Sequence, residues 1–151
     1  MSAPDLLSLD NWLGLLLRLG LALLVGALVG LEREASHKPA GLRTHMLVSL
    51  GAAFFVLVPI QLGSVQADLD PLSRVIQGVA AGIGFIGAGV ILQDAQENGR
   101  VSVRGLTTAA STWVAAALGI AAGCGLWELG LIGALMVLLT LTLVKRLETW
   151  L

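Results

Sequence analysis

Five stretches of about twenty apolar residues, almost free of charge, leave this chain little choice but to fold inside a lipid bilayer. They cover residues 12–31, 44–63, 74–92, 105–123 and 126–144. A helix rises about 1.5 Å per residue and the hydrocarbon core is about 30 Å thick, so each stretch is long enough to cross. Lipid offers the backbone no hydrogen-bonding partner, so a spanning segment of this kind must be helical. The expected fold is an all-α integral membrane bundle of about five transmembrane helices, a single domain over residues 1–151. Composition agrees: 13% of residues are charged and 56% are hydrophobic, whereas a soluble domain carries about a quarter charged residues. The composition leaves no room for a separate soluble domain. Membrane lipid is the first partner, and a net charge of −1 gives no basic footprint for nucleic acid.

Residues 1–11 carry Asp5 and Asp10 but no Lys or Arg. A cleavable signal opens with positive charge, so the first stretch reads as a retained span. The single cysteine, Cys124, allows no intrachain disulfide and reads as a packing residue. Only a few residues around Cys124 and Gly125 join the last two spans, which should form an antiparallel hairpin.

Positive charge sets the orientation. Arg33, Lys38, Arg43, Arg100, Arg104, Lys145 and Arg146 all fall on one side of a five-span chain. Asp5, Asp10, Asp68 and Asp70 fall on the other, with Arg18 and Arg74 the only cations of that half. The N-terminus is therefore expected outside and the C-terminus in the cytoplasm. Trp12, Trp127 and Trp150 lie at span ends, where interfacial aromatics belong.

Three constellations could carry function. The first is the glycine run of the third span, Gly78, Gly82, Gly84, Gly87 and Gly89. By letter it contains G-x-G-x-x-G, but a nucleotide loop must follow a strand and open a helix in water. The run reads either as a close helix-packing face or as a broken helix whose carbonyls line a polar pathway. On the packing reading, Gly84→Leu and Gly87→Leu should both disrupt folding. The second is a stripe on the first span, Gly14, Arg18, Ala22, Gly26 and Gly30, a narrow face that should meet another helix. Arg18 lies six residues past Trp12, roughly 9 Å deep, where an arginine costs about 2.5–3.5 kcal/mol unless it snorkels or finds a partner. Glu128, at similar depth, is one candidate partner.

The third constellation is the charged rim. Glu32 and Glu34 stand at the C-terminal end of the first span, where the helix dipole disfavours acids, and Arg43 and Arg104 stand at helix N-termini, where it disfavours cations. The placements become favourable if acids of one helix end meet arginines of the others, as an ion-pair belt or as a site for a cation, a lipid head group or a protein. Glu32 and Glu34 are the candidates for holding a metal. His37 and His45 could add nitrogen ligands, but their spacing fits no metal pattern. Arg104, Thr108 and Ser111 share a face of span four, close to Thr107 and Trp113. No nucleophile elbow, triad order or P-loop is present, so the expectation is a non-enzyme without a cofactor.

Together these segments resemble the MgtC/SapB family of bacterial inner-membrane proteins. The likeness is carried by residues 18–34 (RLGLALLVGALVGLERE), 40–48 (AGLRTHMLV), 82–91 (GIGFIGAGVI) and 103–113 (VRGLTTAASTW), and covers residues 18–145. The motif positions are Arg18, Glu32, Arg33, Glu34, Gly41, Arg43, Thr44, His45, Arg74, Gly84, Gly87, Gly89, Arg104, Gly105, Thr107, Thr108 and Trp113. The resemblance implies a multi-pass protein of the bacterial inner membrane, linked to growth when magnesium is scarce and, in pathogens, to survival inside macrophages. It implies either a non-enzymatic regulator that binds another membrane protein, such as the F-type ATP synthase, or a magnesium transporter or channel, with magnesium then a ligand or cargo. The best-known members carry a C-terminal soluble domain, which is expected to be missing here. Small-residue faces make a homodimer the expected assembly.

Overall fold

A computed structural model describes residues 9–63, 69–95 and 105–144, with side chains over residues 12–63, 69–91 and 105–144. It contains helices α1 (Leu9–Ala35), α2 (Leu42–Gln61), α3 (Asp70–Ala95), α4 (Leu106–Gly123) and α5 (Trp127–Leu139), the last continuing into a π-helical turn (Thr140–Val144). Among the described residues, five segments are long and apolar enough to cross a membrane: Trp12–Ala35, Leu42–Gln61, Asp70–Ile91, Leu106–Gly123 and Trp127–Val144. All five expected spans are present, with ends shifted by a few residues. In the π turn, Thr140 and Thr142 donate their hydroxyls to the carbonyls of Met136 and Leu138 (2.9 and 2.7 Å), the kind of back-bonding that bends a helix.

The centre of the bundle is α1, α2 and α4, with α5 against α1 and α4, and α3 attached mainly to α4. Its apolar core joins Leu21, Ala22, Val25 and Val29 of α1 to Ala53 of α2, Leu118 and Ala122 of α4, and Ala134 of α5. Glycines set how closely the three central helices approach. A Cβ on Gly26 would stand 2.7 Å from the His45 carbonyl oxygen, and one on Gly30 would stand 2.8 Å from Leu42 Cα. The Gly–Ala stripe of α1 thus meets α2, although Gly14 of the same stripe has nothing within 4 Å. On the other flank of α2, Gly119 and Gly123 of α4 lie against the backbones of Ser49 and Ala53.

The glycine run of α3 does not pack in this way. Gly78, Gly82, Gly84 and Gly89 have open space where a Cβ would be, and Gly87 meets only Ala109. Among the described side chains of α3, only Ile83 and Gly87 are buried. The packing expected of Gly84 within the chain is therefore not found. α3 touches the bundle along one narrow edge, with Gly78 and Gly82 bordering an apolar groove beside α2 and Gly84 and Gly89 exposed.

Three helix ends close with a left-handed residue. Gly63 (φ 70°) follows α2 and Gly125 (φ 77°) follows α4, but after α1 the position is held by His37 (φ 51°). The His37 and Lys38 amides donate to the carbonyls of Glu34 and Arg33 (2.9 and 3.0 Å), the two bonds of a Schellman cap. A side chain in this conformation costs about 1–2 kcal/mol that glycine avoids. His37→Gly should therefore raise stability by about 1 kcal/mol in equilibrium unfolding, less whatever chain entropy glycine adds.

Candidate functional site

The buried polar groups of the bundle gather at the end where α1 turns into α2. Arg33, His45, Ser49, Thr108, Ser111 and Thr112 are each no more than 3% exposed. Arg33 points inward from the last turn of α1 and places its guanidinium on the carboxylate of Glu32. The other oxygen of that carboxylate accepts from the Ser36 hydroxyl (2.9 Å). Glu34 turns the opposite way, and its Oε2 accepts from the Leu42 amide (3.0 Å). There it caps the first turn of α2, whose N-cap residue is Gly41 and supplies no side chain. A carboxylate at a helix N-terminus also suits the helix dipole. Gly41 leaves room for this, since a Cβ on it would collide with the Glu34 carboxylate.

Within the described residues the expected belt takes another form. The acids at the end of α1 find their partners locally, Glu32 in Arg33 and Ser36, Glu34 in the backbone of α2. Arg43 is exposed and has no ion pair among the described residues. Arg100, Arg104, Lys145, Arg146 and Trp150 lie outside the described residues, as does any pairing of Arg104 with Glu34. Among the described residues, no group of three His, Cys, Asp or Glu is placed to hold a metal ion. His37 serves the turn through its backbone, and His45 is fully buried in hydrogen bonds between helices.

His45 links α2 to α4. Its Nδ1 lies 2.8 Å from the Gly41 carbonyl oxygen and its Nε2 lies 3.0 Å from the Ser111 Oγ. The hydroxyls of Ser111 and Thr112 both reach the Thr108 carbonyl (2.8 Å each). One turn further along α2, the Ser49 hydroxyl donates to the Ala22 carbonyl of α1 (2.7 Å). Every described buried side-chain nitrogen or oxygen has a partner. Thr44 is half-buried, while Thr107 and Trp113 are exposed on the outer face of α4 behind Gly105, which has φ 81°.

Arg18 sits at the opposite end of α1. Its Nη1 donates to the Gly123 carbonyl (3.0 Å), and the guanidinium lies about 3.3 Å from where a Cβ on Gly125 would be. The cation thus meets the C-terminus of α4, where carbonyls are unsatisfied and the dipole is negative. Glu128, the candidate partner, is exposed and makes no ion pair with Arg18. Cys124 lies in the same turn, outside the spans. Burial pushes its thiol up, against a smaller downward pull from the Arg18 guanidinium. Arg74 is exposed near the start of α3, 3.9 Å from Asp70.

Sequence reasoning missed Ser49, Thr112, Gly119 and Gly123. The signal for the last two was present: Ala115, Gly119 and Gly123 follow a four-residue spacing, which gives a helix one narrow face.

The sequence profile of the MgtC family matches residues 19–150. The chain is 57% identical over 143 residues to Protein SrpB of Synechococcus elongatus, covering 91% of this chain and 79% of SrpB. It is 42% identical over 137 residues to the putative magnesium transporter YhiD of Escherichia coli K12 (87% of this chain, 61% of YhiD). It is 39% identical over 123 residues to Protein MgtC of Salmonella typhimurium (82% of this chain, 49% of MgtC). The chain thus spans about half the length of that MgtC protein. No solved structure matches it.

Proposed function

The chain belongs to the MgtC family, and from that premise we propose that it serves magnesium homeostasis in the bacterial inner membrane as a non-enzymatic regulator that binds another membrane protein. The observation that carries this reading is the open glycine surface of α3, where Gly78 and Gly82 border an apolar groove with Leu47, Gly51 and Phe55 of α2. Gly78, Gly82, Gly84 and Gly89 are held open on a spanning helix with only two buried residues among those described. In lipid, helices associate through close van der Waals contact, and small residues make that contact possible. A second copy of the chain is one occupant of such a face, and the F-type ATP synthase is another by family resemblance. The central helices favour contact over conduction. Between α1, α2 and α4 the core is filled by Val25, Ala53, Leu118 and Ala122, and the buried polar groups near the α1–α2 turn bond to one another.

The second reading is a magnesium transporter, favoured by the name of YhiD. Magnesium flux into liposomes holding the purified protein and a magnesium-sensitive dye separates the two. The expected result is no flux above empty liposomes, together with a specific protein cross-linked to the α3 face in the native membrane. Saturable flux that falls in Glu34→Gln would replace the regulator with the transporter.

The proposed orientation, N-terminus outside, puts the α4–α5 turn outside as well. Cys124 is the chain's single cysteine, so a membrane-impermeant thiol reagent applied to spheroplasts reads the sidedness directly. The thiolate is the reacting form. With the thiol pushed up by burial, labelling should be slow at neutral pH and accelerate with alkali. Labelling only after permeabilisation would invert the topology.

A further inference from the structure

The contacts around His45 need more hydrogens than a neutral ring can supply. There are three in series: Gly41 O to Nδ1, Nε2 to Ser111 Oγ, and Ser111 Oγ to Thr108 O. A carbonyl only accepts, so the first requires a hydrogen on Nδ1 and the third requires the Ser111 hydroxyl hydrogen. A neutral ring with its hydrogen on Nδ1 then has none for Nε2. The Ser111 hydrogen must choose between Nε2 and Thr108. With a second ring proton, all three contacts are made at once.

We propose that His45 and Ser111 form a proton-reading joint between α2 and α4. When the ring takes one proton from water, on Nε2, the His45–Ser111 hydrogen bond reverses: the nitrogen that accepted now donates. The Ser111 hydroxyl hydrogen swings to the Thr108 carbonyl. No other bond forms or breaks, and the ring's net charge rises by one. The reversal leaves no carbonyl stranded, because Thr108 O also holds the Thr112 hydroxyl (2.8 Å) in either state.

Three helices enclose the ring. His45 is fully buried between the two helices, and Gly30 of α1 closes over its Cβ. The charged groups facing it are Glu32 and Arg33 of α1, which form an ion pair with each other. α4 presents only hydroxyls there among the described residues, and Arg43 of α2 is exposed at the surface. Displacement of the Glu32–Arg33 pair by a bound partner would therefore change the field at the ring. The proton would in turn be read in the first two turns of α4, beside exposed Thr107. The joint rests on the hydrogen bonds of the fold and not on the regulator reading, so each can fail without the other.

The test is 15N NMR of ring-labelled histidine in the full chain in nanodiscs, with His37→Gly leaving His45 as the only histidine. Titrated downward in pH while folded, the neutral ring should carry its hydrogen on Nδ1 and convert to imidazolium. Loss of an acceptor from the charged state weakens it more than loss of a donor weakens the neutral one. Ser111→Ala should therefore reduce the imidazolium fraction at a given pH roughly three- to tenfold, and Ser111→Thr should restore it. A hydrogen on Nε2 in the neutral ring, or identical titrations with and without the Ser111 hydroxyl, overturns the joint. Loss of helicity before the ring protonates overturns it as well.

Discussion

A single methyl group at Gly119 is expected to cost this fold about 3 kcal/mol or more, at the upper end of what overpacking does. A Cβ there would stand 2.0 Å from the Ser49 carbonyl oxygen and 2.7–2.8 Å from the carbon atoms beside it. These are backbone atoms, which no rotamer change can move aside. Nor can α2 retreat. On its other flank, Gly26 brings α1 so close that a Cβ would fall 2.7 Å from the His45 carbonyl oxygen, and the Ser49 hydroxyl is bonded to Ala22. Gly119→Ala should therefore lower the yield of folded protein and shift its denaturation in detergent, where Gly84→Ala, placed in open space, should not. Equal behaviour of the two variants would mean that α2 and α4 do not meet at this distance.

That contrast also marks what could be read from the letters. Span number, the α4–α5 hairpin and the tight face at Gly26 and Gly30 follow from hydropathy and four-residue spacing, both local properties of one helix. Which glycines are buried does not. Gly84 and Gly119 look alike in sequence, each inside an apolar run. The difference lies in the neighbours: α4 is central and α3 peripheral, which only the packing of all five helices decides. The charged rim was found for a sound reason, the unfavourable dipole at each helix end. Its solution could not be read the same way, because Glu34 is relieved by the backbone amide of Leu42, and an amide leaves no mark in a sequence. Arg18 is a similar case, since its partner is a carbonyl at the end of α4 and not the visible acid Glu128.

The second large effect belongs to the Glu32–Arg33 pair. Arg33 is 2% exposed and its side chain spends two donors on one carboxylate oxygen of its own neighbour. Adjacent residues on a helix do not face each other, so the contact depends on the last turn of α1 bending both side chains to the same place. Glu32→Leu would strand a buried guanidinium, and removing one partner of a buried pair costs about 3–5 kcal/mol. Arg33→Leu should cost less, because the Glu32 side chain is 13% exposed and keeps the Ser36 hydroxyl. Replacing both by leucine removes the stranded charge along with the pair, and should recover a large part of the loss. The measurement is a double-mutant cycle from equilibrium unfolding in mixed micelles, with a coupling energy of at least about 1 kcal/mol expected for residues in contact. Additive losses would mean that Arg33 finds its compensation elsewhere, in lipid phosphate or in water at the membrane surface.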